Sequence, residues 1–215
     1  INMTNKPKVF VTRIIPDEGL NLVREACDME LWEHELPPPR EVLLEKIKDK
    51  VGVLSLLTDK IDAELMDANP QIRVVSNFAV GFDNIDIKAA TARGLPIGNT
   101  PGVLTDTTAD IAFTLLMATA RRISEGVDYV RADKWKTWGP MLLMGQDIHK
   151  ATLGIIGFGR IGQGMAKRAS GFDMKILYHD VYRREDLEQS MGVVYSDIDT
   201  ILAQSDFISI HTDLN

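Results

Sequence analysis

Residues 157–162, Gly157-Phe158-Gly159-Arg160-Ile161-Gly162, space their glycines as G-x-G-x-x-G, directly after an apolar run and at the head of a helical one. In that setting Gly157 permits a tight turn, Gly159 lets the backbone approach a pyrophosphate, and Gly162 lets helix and strand pack closely. The helix start offers free N–H groups and the positive end of its dipole to phosphates. Alone the spacing is weak, because glycines also mark ordinary turns. The preceding strand, the following helix and Asp180 at the end of the next strand make it a dinucleotide signature. Asp180 lies 180 − 162 = 18 residues past Gly162, near the usual separation of about 20. A carboxylate there accepts hydrogen bonds from the ribose hydroxyls of NAD and repels the extra phosphate of NADP. Arg183-Arg184 follow closely and can compensate that phosphate, so NAD is the first expectation and NADP the alternative. A solvated helix start accounts for the arginine pair equally well.

A second loop, residues 77–86, runs from a strand end into a helix as Asn77-Phe78-Ala79-Val80-Gly81-Phe82-Asp83-Asn84-Ile85-Asp86. Backbone amides around Val80 and Gly81 can hold a small carboxylate, as amide nests do, with Asp83 or Asn84 as the helix N-cap. On its own a capped turn accounts for this loop. Residues 99–102 and 105–110 bring small hydroxyl and acidic residues to the mouth of a long helix, where capping explains them. No His, Cys and carboxylate group has the spacing of a metal site.

The elements that position these loops alternate short β-rich runs with helices, which predicts parallel sheets covered by helices. Strands are expected at residues 8–12, 29–32, 51–57 and 72–76, with helices at 16–26, 40–48, 62–68 and 85–93. A long helix over 106–131 follows, its buried stripe formed by Ala109, Ala112, Phe113, Leu116, Ala120 and Ile123. Residues 132–150 read as an irregular connecting arm. A second series then places strands at 152–156, 175–179, 193–194 and 206–211, with helices between. The two series suggest two domains, 3–98 and 99–215.

The 215 residues carry 24 Lys+Arg and 31 Asp+Glu, a net charge of −7, with 45% hydrophobic residues. These are globular values, and an acidic chain with no basic stretch is a poor partner for nucleic acid or an anionic membrane. The longest apolar stretch, residues 111–120, is far short of the roughly 20 residues that span a bilayer. Cys27 is the only cysteine, so a reducing compartment is expected. No secretory signal precedes Met3, which makes the cytoplasm the expected location.

Residues 77–86, 99–102, 105–110, 153–162 and Asp180, taken in this order, resemble the D-isomer-specific 2-hydroxyacid dehydrogenases, and the similarity runs from Met3 onward. The arm Trp135-Lys136-Thr137-Trp138-Gly139-Pro140 resembles the glyoxylate/hydroxypyruvate reductase branch. The resemblance implies a flavodoxin-like substrate domain first and a Rossmann domain second, with the active site in the cleft between them. It implies that the amides of Val80 and Gly81 bind the substrate carboxylate and that Thr108 lies near the nicotinamide. Phe158, Gly159, Arg160 and Ile161 would cover the pyrophosphate, and Asp180 would hold the adenosine ribose. The segment His211-Thr212-Asp213-Leu214 would line the adenine pocket, with Thr212 touching cofactor; the family usually has proline where this chain has Asp213.

The implied reaction is hydride transfer between NAD(H), or NADP(H), and a small 2-oxo or 2-hydroxy acid. Its arginine, glutamate and histidine lie in the family beyond the last strand of this sequence. None of His34, His149, His179 and His211 matches that histidine, so no catalytic residue is placed here. The Rossmann half is expected to stop after its fourth strand, as a fragment would. A homodimer is implied through that half and the 132–150 arm, with Trp138 a candidate for substrate choice. Other family oxidations, of phosphoglycerate or D-lactate, stay open. So do an NAD-sensing scaffold like the C-terminal-binding-protein corepressors and a bare dinucleotide-binding module.

Overall fold

The computed structural model describes residues 6–212, in which the contacts divide the chain into two compact units, 1–102 and 103–215. In the first unit the order is β1 (Lys8–Val11), α1 (Asp17–Ala26), β2 (Asp28–Leu31), α2 (Arg40–Lys46), β3 (Gly52–Ser55), α3 (Ala63–Ala68), β4 (Val74–Asn77), α4 (Ile87–Ala92) and β5 (Ile97–Gly98). The strands are all parallel in the order β2-β1-β3-β4-β5, the flavodoxin-like order. β3 is buried on both faces because helices cover both sides, which is why it reads as an unbroken apolar run. One side of the sheet buries Phe10, Leu43, Ile47, Val53, Leu65 and Val75; the other buries Val11, Ile15 and Leu20.

The second unit contains α5 (Thr105–Ala120), α6 (Ile123–Arg131), β6 (Thr152–Ile156), α7 (Arg160–Ser170), β7 (Lys175–His179), α8 (Glu185–Met191), β8 (Val194–Tyr195), α9 (Ile198–Gln204) and β9 (Phe207–Ile210). Its parallel sheet has the order β8-β7-β6-β9. In a doubly wound numbering this is 3-2-1-4, so the order reverses between β6 and β9, where such sheets bind ligands. Phe158 and Tyr178, fully buried, stack with ring centroids 4.2 Å apart at the centre of the core, a pairing worth about 0.5–1.5 kcal/mol beyond its area burial. α5 crosses α7 closely because Gly164 faces Ala109, where a Cβ would come within 2.9 Å.

Two expectations change. The helix expected over 106–131 is two helices, broken at Arg121-Arg122, with Arg122 left-handed at φ 53°. The arm causes the break: the N–H of Gln146 donates to the Ala120 carbonyl at 2.8 Å, and Gly145 packs on that same carbonyl. Ile123 therefore leaves the buried stripe and is 54% exposed. The cap of α4 is also neither Asp83 nor Asn84. Asp86 takes that place, its carboxylate accepting from the Ala89 N–H at 2.8 Å, while Asn84 is drawn inward as described below.

Candidate functional site

The glycine turn sits where the second sheet reverses order. The N–H of Gly157 donates to the His179 carbonyl at 2.8 Å, and the His211 N–H donates to Ile156 at 2.7 Å. The turn is thus stitched to β7 on one side and to the end of β9 on the other. Gly157 has φ 90°, and a Cβ on it would lie 2.4 Å from the His211 carbonyl oxygen. A Cβ on Gly162 would lie 2.3 Å from the Gly157 carbonyl oxygen, whereas one on Gly159 would meet nothing within 4 Å. Two glycines are therefore required by the protein itself, and the third faces open space at the start of α7. The N–H groups of Gly159, Arg160 and Ile161 find no acceptor among the described residues. A concave, amide-lined turn with room for backbone-to-ligand approach fits a dinucleotide pyrophosphate.

Phe158 contributes differently from its neighbours. Its ring is in the core, and its N–H is held by the Asp180 carboxylate at 2.6 Å. The other carboxylate oxygen of Asp180 accepts from the Tyr182 N–H at 3.2 Å. Asp180 is thereby fixed at the β7 end, beside the glycine turn. The arginines after it are occupied. Arg183 forms two bonds to Glu188 (2.9 and 2.8 Å), and Arg184 two to Asp186 (3.1 and 2.9 Å). These pairs hold the Glu188 and Asp186 carboxyls below their usual range. Glu188 also accepts from the Tyr178 hydroxyl at 2.9 Å, while burial pushes that phenol up.

Thr108, in the first turn of α5, lines a groove of about 480 Å³ with Leu115, Ser209 and His211. His211 hydrogen-bonds Ser209 Oγ at 2.9 Å, and burial alone pushes its imidazole pKa down. Thr212 is exposed at the end of the described residues, and Asp213 and Leu214 lie outside them. Of the other histidines, His179 Nδ1 is 3.0 Å from the Ser196 carbonyl and His149 lies 3.7 Å from Asp173. Among the described residues no helix is long and apolar enough to cross a membrane.

In the first unit, Val80 and Gly81 lie on a turn at the C-terminal end of β4. The buried side chain of Asn77 accepts from Ser55 Oγ at 2.9 Å and donates to the Gly81 carbonyl at 3.0 Å. Asn84 donates to the carbonyls of Leu56 (3.1 Å) and Asp59 (2.8 Å) and pairs with Asn77. Asn99 donates to the Val80 carbonyl at 2.8 Å, and the Thr100 N–H to Ala79 at 2.8 Å. The N–H groups of Val80, Gly81 and Phe82 have no acceptor among the described residues.

Residues 113–215 match the model of the D-isomer specific 2-hydroxyacid dehydrogenase NAD binding domain. Across 97% of its length the chain is 53% identical to a glyoxylate reductase of Korarchaeum cryptofilum, of which it covers 63%. Residues 113–215 thus carry the NAD-binding domain of the D-isomer-specific 2-hydroxyacid dehydrogenase family. Among solved structures, the TT0316 protein of Thermus thermophilus superposes with a TM-score of 0.89 at 39% identity, over 97% of this chain and 65% of that one. A D-lactate dehydrogenase of Aquifex aeolicus, complexed with NAD and lactic acid, superposes with a TM-score of 0.79 at 26% identity, over 95% and 60%. The chain thus spans a little under two thirds of each of these relatives.

The glycine turn and Asp180 lie within the residues that match the NAD-binding domain, and their geometry fits NAD. Sequence reasoning missed Asn77, Asn84 and Asn99, the three side-chain amides behind the first-unit turn. Three asparagines flanking one glycine turn were the available signal, and each reads equally well as a capping residue.

Proposed function

We propose that the protein containing this chain uses NADH to reduce a small 2-oxo acid of the glyoxylate or hydroxypyruvate type to the D-2-hydroxy acid. The observation that carries this reading is the empty-sided glycine cradle with a fixed carboxylate at its rim. The 53% identical glyoxylate reductase supports the substrate class. Bound NADH would supply the hydride. The amides of Gly159, Arg160 and Ile161 hold the pyrophosphate, Asp180 the adenosine ribose, Thr212 the adenine side, and Thr108 lies toward the nicotinamide end. In the first unit the amides of Val80 and Gly81 hold the substrate carboxylate, with no bulky side chain on Gly81 to block it. None of the four histidines is assigned the proton transfer. His211 has a lowered pKa and a serine partner, which makes it a poor proton donor near neutral pH.

The test is NADH oxidation by the full-length protein with glyoxylate, hydroxypyruvate and pyruvate. Turnover of the first two, faster with NADH than with NADPH, is the expected result. Tight NADH binding with no turnover of any 2-oxo acid would favour the scaffold or binding-module readings instead.

A homodimer belongs to the same proposal. α6 presents Ile123, Val127 and Val130 on one side, 54%, 42% and 60% exposed, and buries no residue of its own. Trp135 and Trp138 of the arm are 57% and 77% exposed. An apolar face of this kind is the mark of an interface. Val127→Glu is expected to convert a dimer to a monomer in sedimentation velocity while leaving NADH binding intact; an unchanged sedimentation coefficient refutes this use of α6. A reducing, cytoplasmic location is proposed with it, on the lone Cys27.

A further inference from the structure

The first-unit turn is held from behind, one peptide plane at a time. The carbonyl of Ala79 is taken by the Thr100 N–H, that of Val80 by the Asn99 side-chain amide, and that of Gly81 by the Asn77 side-chain amide, at 2.8, 2.8 and 3.0 Å. No peptide bond here is cis. In a planar trans peptide the C=O of one residue and the N–H of the next point in opposite directions. Anchoring each carbonyl therefore turns the N–H of the same peptide plane, that of Val80, Gly81 and Phe82 in turn, away from its anchor. All three lack an acceptor among the described residues, and successive free N–H groups in a turn are the material of an anion-binding concavity.

We propose that Asn99 is a positioning residue for carboxylate recognition: by holding the Val80 carbonyl, its side-chain amide aims the Gly81 N–H at the substrate. This rests on the reading that the Val80 and Gly81 amides bind the substrate carboxylate. Asn77 does the same for the Phe82 N–H, which becomes a third donor. The two asparagines differ in what else they carry. Asn77 is fully buried and bonded to Ser55 as well, so its loss also damages the sheet end. Asn99 is exposed, and among the described residues its side chain makes this one hydrogen bond. Its effect on the turn can be read without a folding defect.

The test is Asn99→Ala in the full-length protein, with glyoxylate compared against its neutral methyl ester. A free peptide plane rocks, and one charge-assisted hydrogen bond is then mis-aimed, which costs about tenfold. The expected result is a KM for glyoxylate raised about tenfold, a kcat within about twofold, and an unchanged NADH affinity by fluorescence titration. The ester, which has no carboxylate, keeps its kcat/KM. If the wild type prefers acid to ester and Asn99→Ala retains the full preference, Asn99 does not position the site and the amide reading survives. An equal loss for acid and ester also overturns the positioning role. If the wild type shows no preference for the acid, the amide reading itself fails and this proposal with it.

Discussion

Gly157→Ala is expected to destabilise the second unit by roughly 2–5 kcal/mol and to abolish measurable NADH binding, while Gly159→Ala leaves stability within about 0.5 kcal/mol and weakens binding alone. The first substitution meets two obstacles. Alanine at φ 90° carries the left-handed penalty, and its methyl would sit 2.4 Å from the His211 carbonyl oxygen and 2.7 Å from the carbonyl carbon. Both are backbone atoms at the end of β9, so relief requires β6 and β9 to separate at the point where the cofactor crevice begins. Gly159 has φ −70°, which alanine adopts freely, and its methyl meets nothing within 4 Å. That methyl would enter the space a pyrophosphate needs to approach the amides. Differential scanning calorimetry and NADH titration of both variants check this. Gly157→Ala should lower Tm by roughly 10–20 °C, and Gly159→Ala should leave it nearly unchanged. A Gly159→Ala protein that binds NADH normally would show that the turn does not cradle the phosphates.

Asp180→Ser is expected to lower the NADH-to-NADPH ratio of kcat/KM by about a hundredfold or more, chiefly by weakening NADH. Loss of charge-assisted hydrogen bonds to the ribose costs NADH binding about 1.5–3 kcal/mol, the upper end of which is a factor of about a hundred. The substitution also withdraws the acceptor held by the Phe158 N–H at 2.6 Å, so a modest drop in Tm accompanies it. NADPH gains little from the single change, because Arg183 and Arg184 remain committed to Glu188 and Asp186. Adding Glu188→Gln weakens the hold on Arg183 and should raise NADPH use several-fold above the single variant. Steady-state kinetics with both cofactors read the result. An unchanged ratio in Asp180→Ser would remove Asp180 from the ribose site.

The glycine turn was legible because its meaning is local: a strand, three glycines at fixed spacing, a helix and an acid one strand later. That both sheets are parallel followed from the βα alternation for the same reason, while their strand orders came only with the family resemblance. The rest depended on partners distant in sequence. The break at Arg121-Arg122 is set by Gly145 and Gln146 in the arm, which no helical periodicity over 106–131 can contain. Asn84 resembles a cap in sequence, yet its amide is spent on Leu56 and Asp59, 28 and 25 residues away. Arg183 and Arg184 read as free charge, and only the geometry of α8 shows them occupied. Where backbone rules decide, the sequence suffices; where buried amides choose among several carbonyls, it does not.

Among the described residues the two sheets have four outer strands, and three are poor templates for further pairing. β5 and β8 are two residues long, and β2 carries Asp28 and Glu30. β9 has neither protection: its sequence is Phe207-Ile208-Ser209-Ile210, with Ile208 and Ile210 40% and 68% exposed. Unpaired N–H and C=O groups along an uncharged apolar edge invite another strand to add in register. Of the edges among the described residues, β9 is therefore the one most receptive to a further strand, and whatever pairs with it would extend the sheet beside the glycine turn.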